Sequence, residues 1–154
     1  MRMSRVKGVG SSKLASQKRA DTAQKKPQLE EYISNRDYTG AIALMEFQRA
    51  SNPDEEAEIL PWLGYAAFHL GDYRKAVDAY QAWEATGQAP VEVHLYIACC
   101  LFYLQSFPEA MEAAKRGPAT GLQNRIMFHI AHRTNDEKNL MVYHQKLNDT
   151  KEDQ

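Results

Sequence analysis

Cysteine is nearly absent from this 154-residue chain: there are two, Cys99 and Cys100, and they are adjacent. Neighbouring positions rarely satisfy disulfide geometry, so the chain is expected to fold without a covalent staple, in a reducing compartment. Long apolar runs are missing too. No stretch approaches the ~20 residues of a membrane-spanning helix, which excludes an α-helical span. The first twenty residues are basic and lack the apolar core of a secretory signal. No glycine-rich phosphate loop is present, because Gly8-Val9-Gly10 follows no strand-like segment. What remains is ordinary for a globular protein, with 44% apolar and 25% charged residues. A chain of this length makes about one domain, and it can bury roughly two thirds of its unfolded surface.

The net charge of −1 conceals an asymmetry. Residues 1–26 carry eight cations (Arg2, Arg5, Lys7, Lys13, Lys18, Arg19, Lys25 and Lys26) against one acid, Asp21. That segment is therefore +7 and the rest of the chain −8. With five Ser or Thr and few large apolar residues, it cannot bury enough surface to offset its ordering entropy. It is expected to be a disordered basic tail whose function, if any, is electrostatic attraction to an acidic partner. The tail has no interleaved aromatics, so a nucleic-acid stacking site is not expected.

From Pro27 onward the sequence repeats. Gly71-Asp72-Tyr73 aligns with Gln105-Ser106-Phe107 at an offset of 34, and at that offset Leu63, Gly64, Leu70 and Ala76 fall on Ile97, Ala98, Leu104 and Ala110. Upstream, Arg36-Asp37-Tyr38 and Ala41-Ile42 match Gly71-Asp72-Tyr73 and Ala76-Val77 at an offset of 35. A 34-residue period is that of the tetratricopeptide repeat, a helix–turn–helix unit. Small residues at 41, 64, 76, 98 and 110 let facing helices approach closely. The aromatics Tyr38, Tyr73 and Phe107 open each second helix, where they are expected to plug the joint between repeats.

The fold class read from this pattern is all-α: a right-handed superhelical solenoid of about four helix pairs behind the tail. Pairs are expected near 28–35 with 37–49, 58–70 with 73–86, and 91–104 with 107–116, with Pro61 in the first turn of its helix. A degenerate pair near 120–133 and 136–147 is expected to complete a solenoid over 27–149, with repeats near 27–52, 57–90 and 91–118. Thr150 and Asp153 resemble the start of a further helix. No polar capping helix is visible, which suggests a piece of a longer solenoid.

Residues for catalysis are hard to find. His129 and His132 share a helical face and His144 could approach them, but no Cys or Glu at matching spacing completes four ligands. No metal or other cofactor is therefore expected. Cys99 and Cys100 lie in an apolar helix, where cysteine behaves as a small hydrophobe. Surface is what a repeat array offers, since the first helix of each pair lines a concave groove. The groove positions expected are Glu58, Trp62, Tyr65, His69, Leu95, Cys99, Phe102 and Tyr103. Repeats that clamp the carboxylate terminus of chaperones present Lys, Arg and Asn there; this surface is aromatic and almost uncharged, which argues against a co-chaperone, and a generic co-chaperone or peptide-binding adaptor stands as the alternative reading.

Several stretches resemble one family, the tetratricopeptide subunit of intraflagellar transport complex B. They are Pro27-Gln-Leu-Glu-Glu, Arg36-Asp-Tyr-Thr-Gly-Ala-Ile, Trp62-Leu-Gly-Tyr, Ala67-Phe-His-Leu-Gly-Asp-Tyr and, above all, Leu122 through Met141, where a generic repeat consensus breaks down. Trp83, Gly117 and Pro118 depart from a generic repeat. The resemblance implies a non-enzymatic scaffold subunit of the cilium or flagellum, its base and the cytoplasm. Its implied partners are other complex B subunits and motility cargo, with no nucleic acid and no membrane insertion.

Overall fold

The computed structural model describes residues 28–152, with side chains through Asp149; the basic segment 1–26 and Pro27 lie outside the described residues. Every regular element in the described part is helical. They are α1 (28–34), α2 (Tyr38–Ser51), α3 (Glu56–Leu70), α4 (Tyr73–Ala85), α5 (Val93–Tyr103), α6 (Phe107–Arg116), α7 (Gly121–Arg133) and α8 (Glu137–Glu152), with a short 3₁₀ turn at Pro53–Glu55. From α2 onward each helix packs on its chain neighbours, and α5 also packs on α7. The result is a tetratricopeptide solenoid of four helical hairpins.

One turn builds all four hairpins. Arg36, Gly71, Gln105 and Asn135 each take a left-handed backbone, with φ of 56°, 89°, 61° and 55°. The next residue sends its N–H back five positions: Asp37 to Tyr32 (2.8 Å), Asp72 to Ala67 (2.9 Å), Ser106 to Leu101 (2.9 Å) and Asp136 to Ala131 (2.9 Å). This is the bond that closes a Schellman motif. The same residue then caps the following helix. Asp37, Asp72 and Asp136 accept from the amides of Gly40 (3.0 Å), Lys75 (3.1 Å) and Asn139 (3.2 Å), and Ser106 occupies the equivalent place without that side-chain bond. Asn139 also donates its side-chain amide to Asp136 at 2.7 Å. These bonds hold the Asp136 carboxyl below the usual carboxylate range. The fourth pair has drifted in sequence yet keeps the turn of the other three.

Small residues set the helix spacing. Ala41, Ala76 and Ala110, the repeat-equivalent alanines of the second helices, are fully buried. They meet a core built largely from Leu60, Leu63, Ala66, Ala67, Val77, Ile97, Ala98 and Cys100. Salt bridges contribute less, since exposed pairs are worth at most about 1 kcal/mol. Arg49 pairs with Glu56 across α2 and α3, and Lys75 with Glu46 at 2.6 Å across α4 and α2. The Glu46 hydrogen bond holds the Lys75 ammonium above its ordinary value.

The structure moves several expected boundaries. Helix α3 starts at Glu56 because the 3₁₀ turn winds the chain early, so Pro61 sits inside the helix rather than in its first turn. Its missing N–H leaves the Ala57 carbonyl without an i+4 donor. Helix α6 ends at Arg116, where the sequence reading put it, because Gly117 lets the chain pass against Leu95; a Cβ there would lie 2.3 Å from the Leu95 side chain. Gln123 of α7 satisfies that frayed end, donating to Ala114 (2.9 Å) and Gly117 (3.2 Å) carbonyls. Helix α8 continues through 150–152, so those residues extend it and do not open another helix.

The joint yields a direct test. Ala76→Leu should lower stability by ~1–3 kcal/mol through overpacking, whereas Glu55→Ala, on the exposed 3₁₀ turn, should be nearly neutral. Thermal melts followed by helical circular dichroism measure both, and equal melting temperatures would contradict the register.

Candidate functional site

Gly64 shapes the inner face of the solenoid. Its missing Cβ admits the Tyr80 ring of α4, which a side chain would meet at 2.5 Å. Tyr80 is thereby nearly buried, and that desolvation pushes its phenol well above the ordinary tyrosine range. The ring also reaches Tyr96 of α5 at 5.6 Å between centroids. Above it opens a hollow of about 450 Å³ between α3, α4 and α5. Pro61, Trp62, Tyr65 and Phe68 line it from α3, Tyr80 and Trp83 from α4, and Tyr96 and Cys99 from α5. No lining residue carries a charge at neutral pH. A second hollow of about 570 Å³ lies between α1, α2 and α3, and Trp62 is the partition the two share.

Aromatic rings run from one hairpin to the next along this face. Tyr38 at the start of α2 stacks on His69 of α3 (5.4 Å), which adjoins Tyr65 (4.2 Å), and Tyr65 meets Trp62 edge-on (6.0 Å). Tyr73 at the start of α4 stacks on Tyr103 of α5, 4.8 Å apart and 13° from parallel. Phe107 at the start of α6 contacts Phe102 (5.7 Å) and lies under the Arg133 guanidinium of α7 (5.8 Å). The helix-opening aromatics therefore occupy the joints, as their spacing suggested.

The groove positions read from sequence divide. Trp62 (49% exposed), Tyr65 (37%), Tyr103 (54%) and His69 stand open on α3 and α5, with Glu58 exposed one turn before Trp62. Cys99 is half-buried in the first hollow. Leu95 does not belong: at 1% exposure it is core, wedged against Gly117. Phe102 is half-buried between Phe107 and His129 of α7, at the joint of the last two hairpins. Tyr96 lines the hollow beside Cys99 and was missed in the sequence reading, although the 34-residue offset carries Trp62 onto it. Trp83, noticed as a departure from a generic repeat, is the far wall. The basic-tail positions Arg2 through Lys26 lie outside the described residues.

The chemistry on offer is apolar contact. Burial pushes the Cys99 thiol up, and it pushes Cys100 up to about 12, with Cys99 adding to the effect. Neither is a ready thiolate near neutrality. His129 lies 6.3 Å from Phe102, and His144 lies 6.2 Å from Phe128. Among the described residues no three His, Cys, Asp or Glu side chains gather as metal ligands, and no helix is long and apolar enough to cross a membrane.

A family model described as Intraflagellar transport protein 56 matches residues 60–154. The chain belongs to that family. It is similar to the Intraflagellar transport protein 56 homolog of Caenorhabditis elegans, 40% identical over 134 residues, covering 85% of this chain and 23% of that protein. The chain thus spans about a quarter of that relative's length. Among solved structures it resembles MamA AMB-1 and MamA MSR-1, each at TM-score 0.70 and 19% identity. The first match covers 81% of this chain and 70% of that one, and the second 79% and 71%. Those likenesses bear on the fold alone. The segment from Leu122 to Met141, which carried the resemblance most distinctly, falls within the region the family model matches.

Thiol labelling tests the description of the hollow. Iodoacetamide should alkylate Cys99 more slowly than a free cysteine at pH 8, and Cys100 more slowly still. Both rates should climb as pH rises toward the elevated thiol values. Mass spectrometry resolves the two sites after proteolysis, and rapid labelling of Cys100 at neutral pH would contradict its burial.

Proposed function

We propose that this chain is part of a non-enzymatic scaffold subunit of the intraflagellar transport B particle. On this reading its inner face docks other complex B subunits, at the cilium or flagellum, its base and in the cytoplasm. The subunit thereby supports ciliary assembly and the carriage of motility-related cargo. The observation that carries the reading is the uncharged aromatic face on α3 and α5, presented by a chain of an intraflagellar transport family. Half-exposed Trp and Tyr side chains in a preformed recess are where interface energy concentrates. A chaperone's terminal carboxylate would be desolvated there without a cationic partner.

Replacing Tyr65 and Tyr96 by Ala in the full-length protein should weaken its capture by the other complex B subunits. For anchors worth about 2 kcal/mol each, the affinity loss is roughly 30-fold per residue. Phe47→Ala, on an exposed position of α2 lining neither hollow, should leave capture unchanged. Titration of a chaperone C-terminal peptide completes the test. Micromolar binding by the unaltered protein, lost in the Tyr65/Tyr96 variant, would favour a peptide-binding adaptor and overturn the scaffold reading.

A further inference from the structure

The second hollow differs from the first in charge. Ile33, Met45, Ile59 and Trp62 make an apolar floor, and Glu30, Glu55 and Glu58 line its rim. None of the three carboxylates has an ion-pair partner among the described residues. A third hollow, over α4 to α6, is also lined by acids, but basic groups stand among them. There Glu84 faces His94 at 3.7 Å, Glu112 pairs with Lys115 at 3.2 Å, and Arg116 joins the lining. No basic residue lines the recess beside α1.

The chain itself carries cations close to α1 in sequence. Helix α1 forms one wall of the recess, and the residues that lead into it are the +7 segment 1–26, with Lys25 and Lys26 a few residues ahead of Leu29. Lys18 and Arg19 precede the helix by about ten residues, a stretch that reaches ~30 Å when extended. We propose that residues 1–26 dock in cis into the hollow between α1, α2 and α3, placing Lys or Arg heads against Glu55 and Glu58. Aliphatic stems of these side chains cover the apolar floor, and one cation meets the Trp62 ring. Tethering gives the segment an effective concentration in the millimolar range, so modest pairwise attraction suffices. Because Trp62 is shared, the docked segment shields one edge of the first hollow. The proposal concerns the isolated chain and does not rest on the transport reading.

Zero-length carbodiimide crosslinking of the full 154-residue chain tests it. An equal mixture of isotopically light and heavy chains separates crosslinks within one molecule from those between two. Lys13, Lys18 and Lys25 should join Glu55 and Glu58 within a single chain. The yield should fall about fivefold or more between about 20 mM and about 500 mM salt. Crosslinks to Glu30 are set aside, because sequence proximity alone would produce them. The proposal is overturned if the tail lysines fail to reach Glu55 and Glu58, or reach Glu109 and Glu112 of α6 as often. It is equally overturned if the products join only light to heavy chains, or if the yield ignores salt.

Discussion

A single turn, used four times, governs this molecule. In each hairpin a left-handed residue ends one helix, and the residue after it both closes that helix and caps the next. The backbone bonds recur almost unchanged whether the left-handed residue is Gly71, where the conformation costs little, or Arg36, Gln105 and Asn135, where it costs ~1–2 kcal/mol less any local compensation. The structure tolerates that cost because the turn fixes how the two helices of a pair face each other, and packing repays it. Ala41, Ala76 and Ala110 come to the crossing only if the second helix starts where the cap puts it.

From that spacing the inner face follows. Where Gly64 lets Tyr80 lie flat on α3, the neighbouring first helices stay apart and leave the aromatic hollow. At the following joint α5 packs directly on α7, and Phe102 is drawn in beside Phe107 and Arg133. The two outcomes differ through the residues offered. A glycine, a tyrosine and an unexpected Trp83 open one interval; a shortened α6, ended by Gly117 against Leu95, closes the other.

Much of this was legible in the sequence. The 34- and 35-residue offsets located three of the turns and the buried alanines, and the aromatics at 38, 73 and 107 were read correctly as joint residues. The face of α5 was not legible, because Val93 to Tyr103 is apolar almost all round and gives no polar side to orient it. Leu95 was accordingly placed on the groove, one position from Tyr96, which lines the hollow, while Leu95 is core. Pro61 was misplaced for a different reason: a 3₁₀ turn can extend a helix upstream without any capping side chain to announce it. The family, by contrast, showed in the stretch where repeat consensus fails, since residues not demanded by the fold carry ancestry.

If the aromatic face of α3 and α5 docks other complex B subunits, as proposed, it is covered in the assembly. Hydroxyl-radical footprinting of the full-length protein, alone and within the reconstituted complex B particle, measures this directly. Trp62, Tyr65, Tyr96 and Tyr103 should lose reactivity on assembly, while Phe47 and Met141, exposed on α2 and α8, serve as internal references. Protection confined to those four inner residues is the predicted result. Unchanged reactivity at Trp62 and Tyr96, with protection at Phe47 or Met141 instead, would contradict the account.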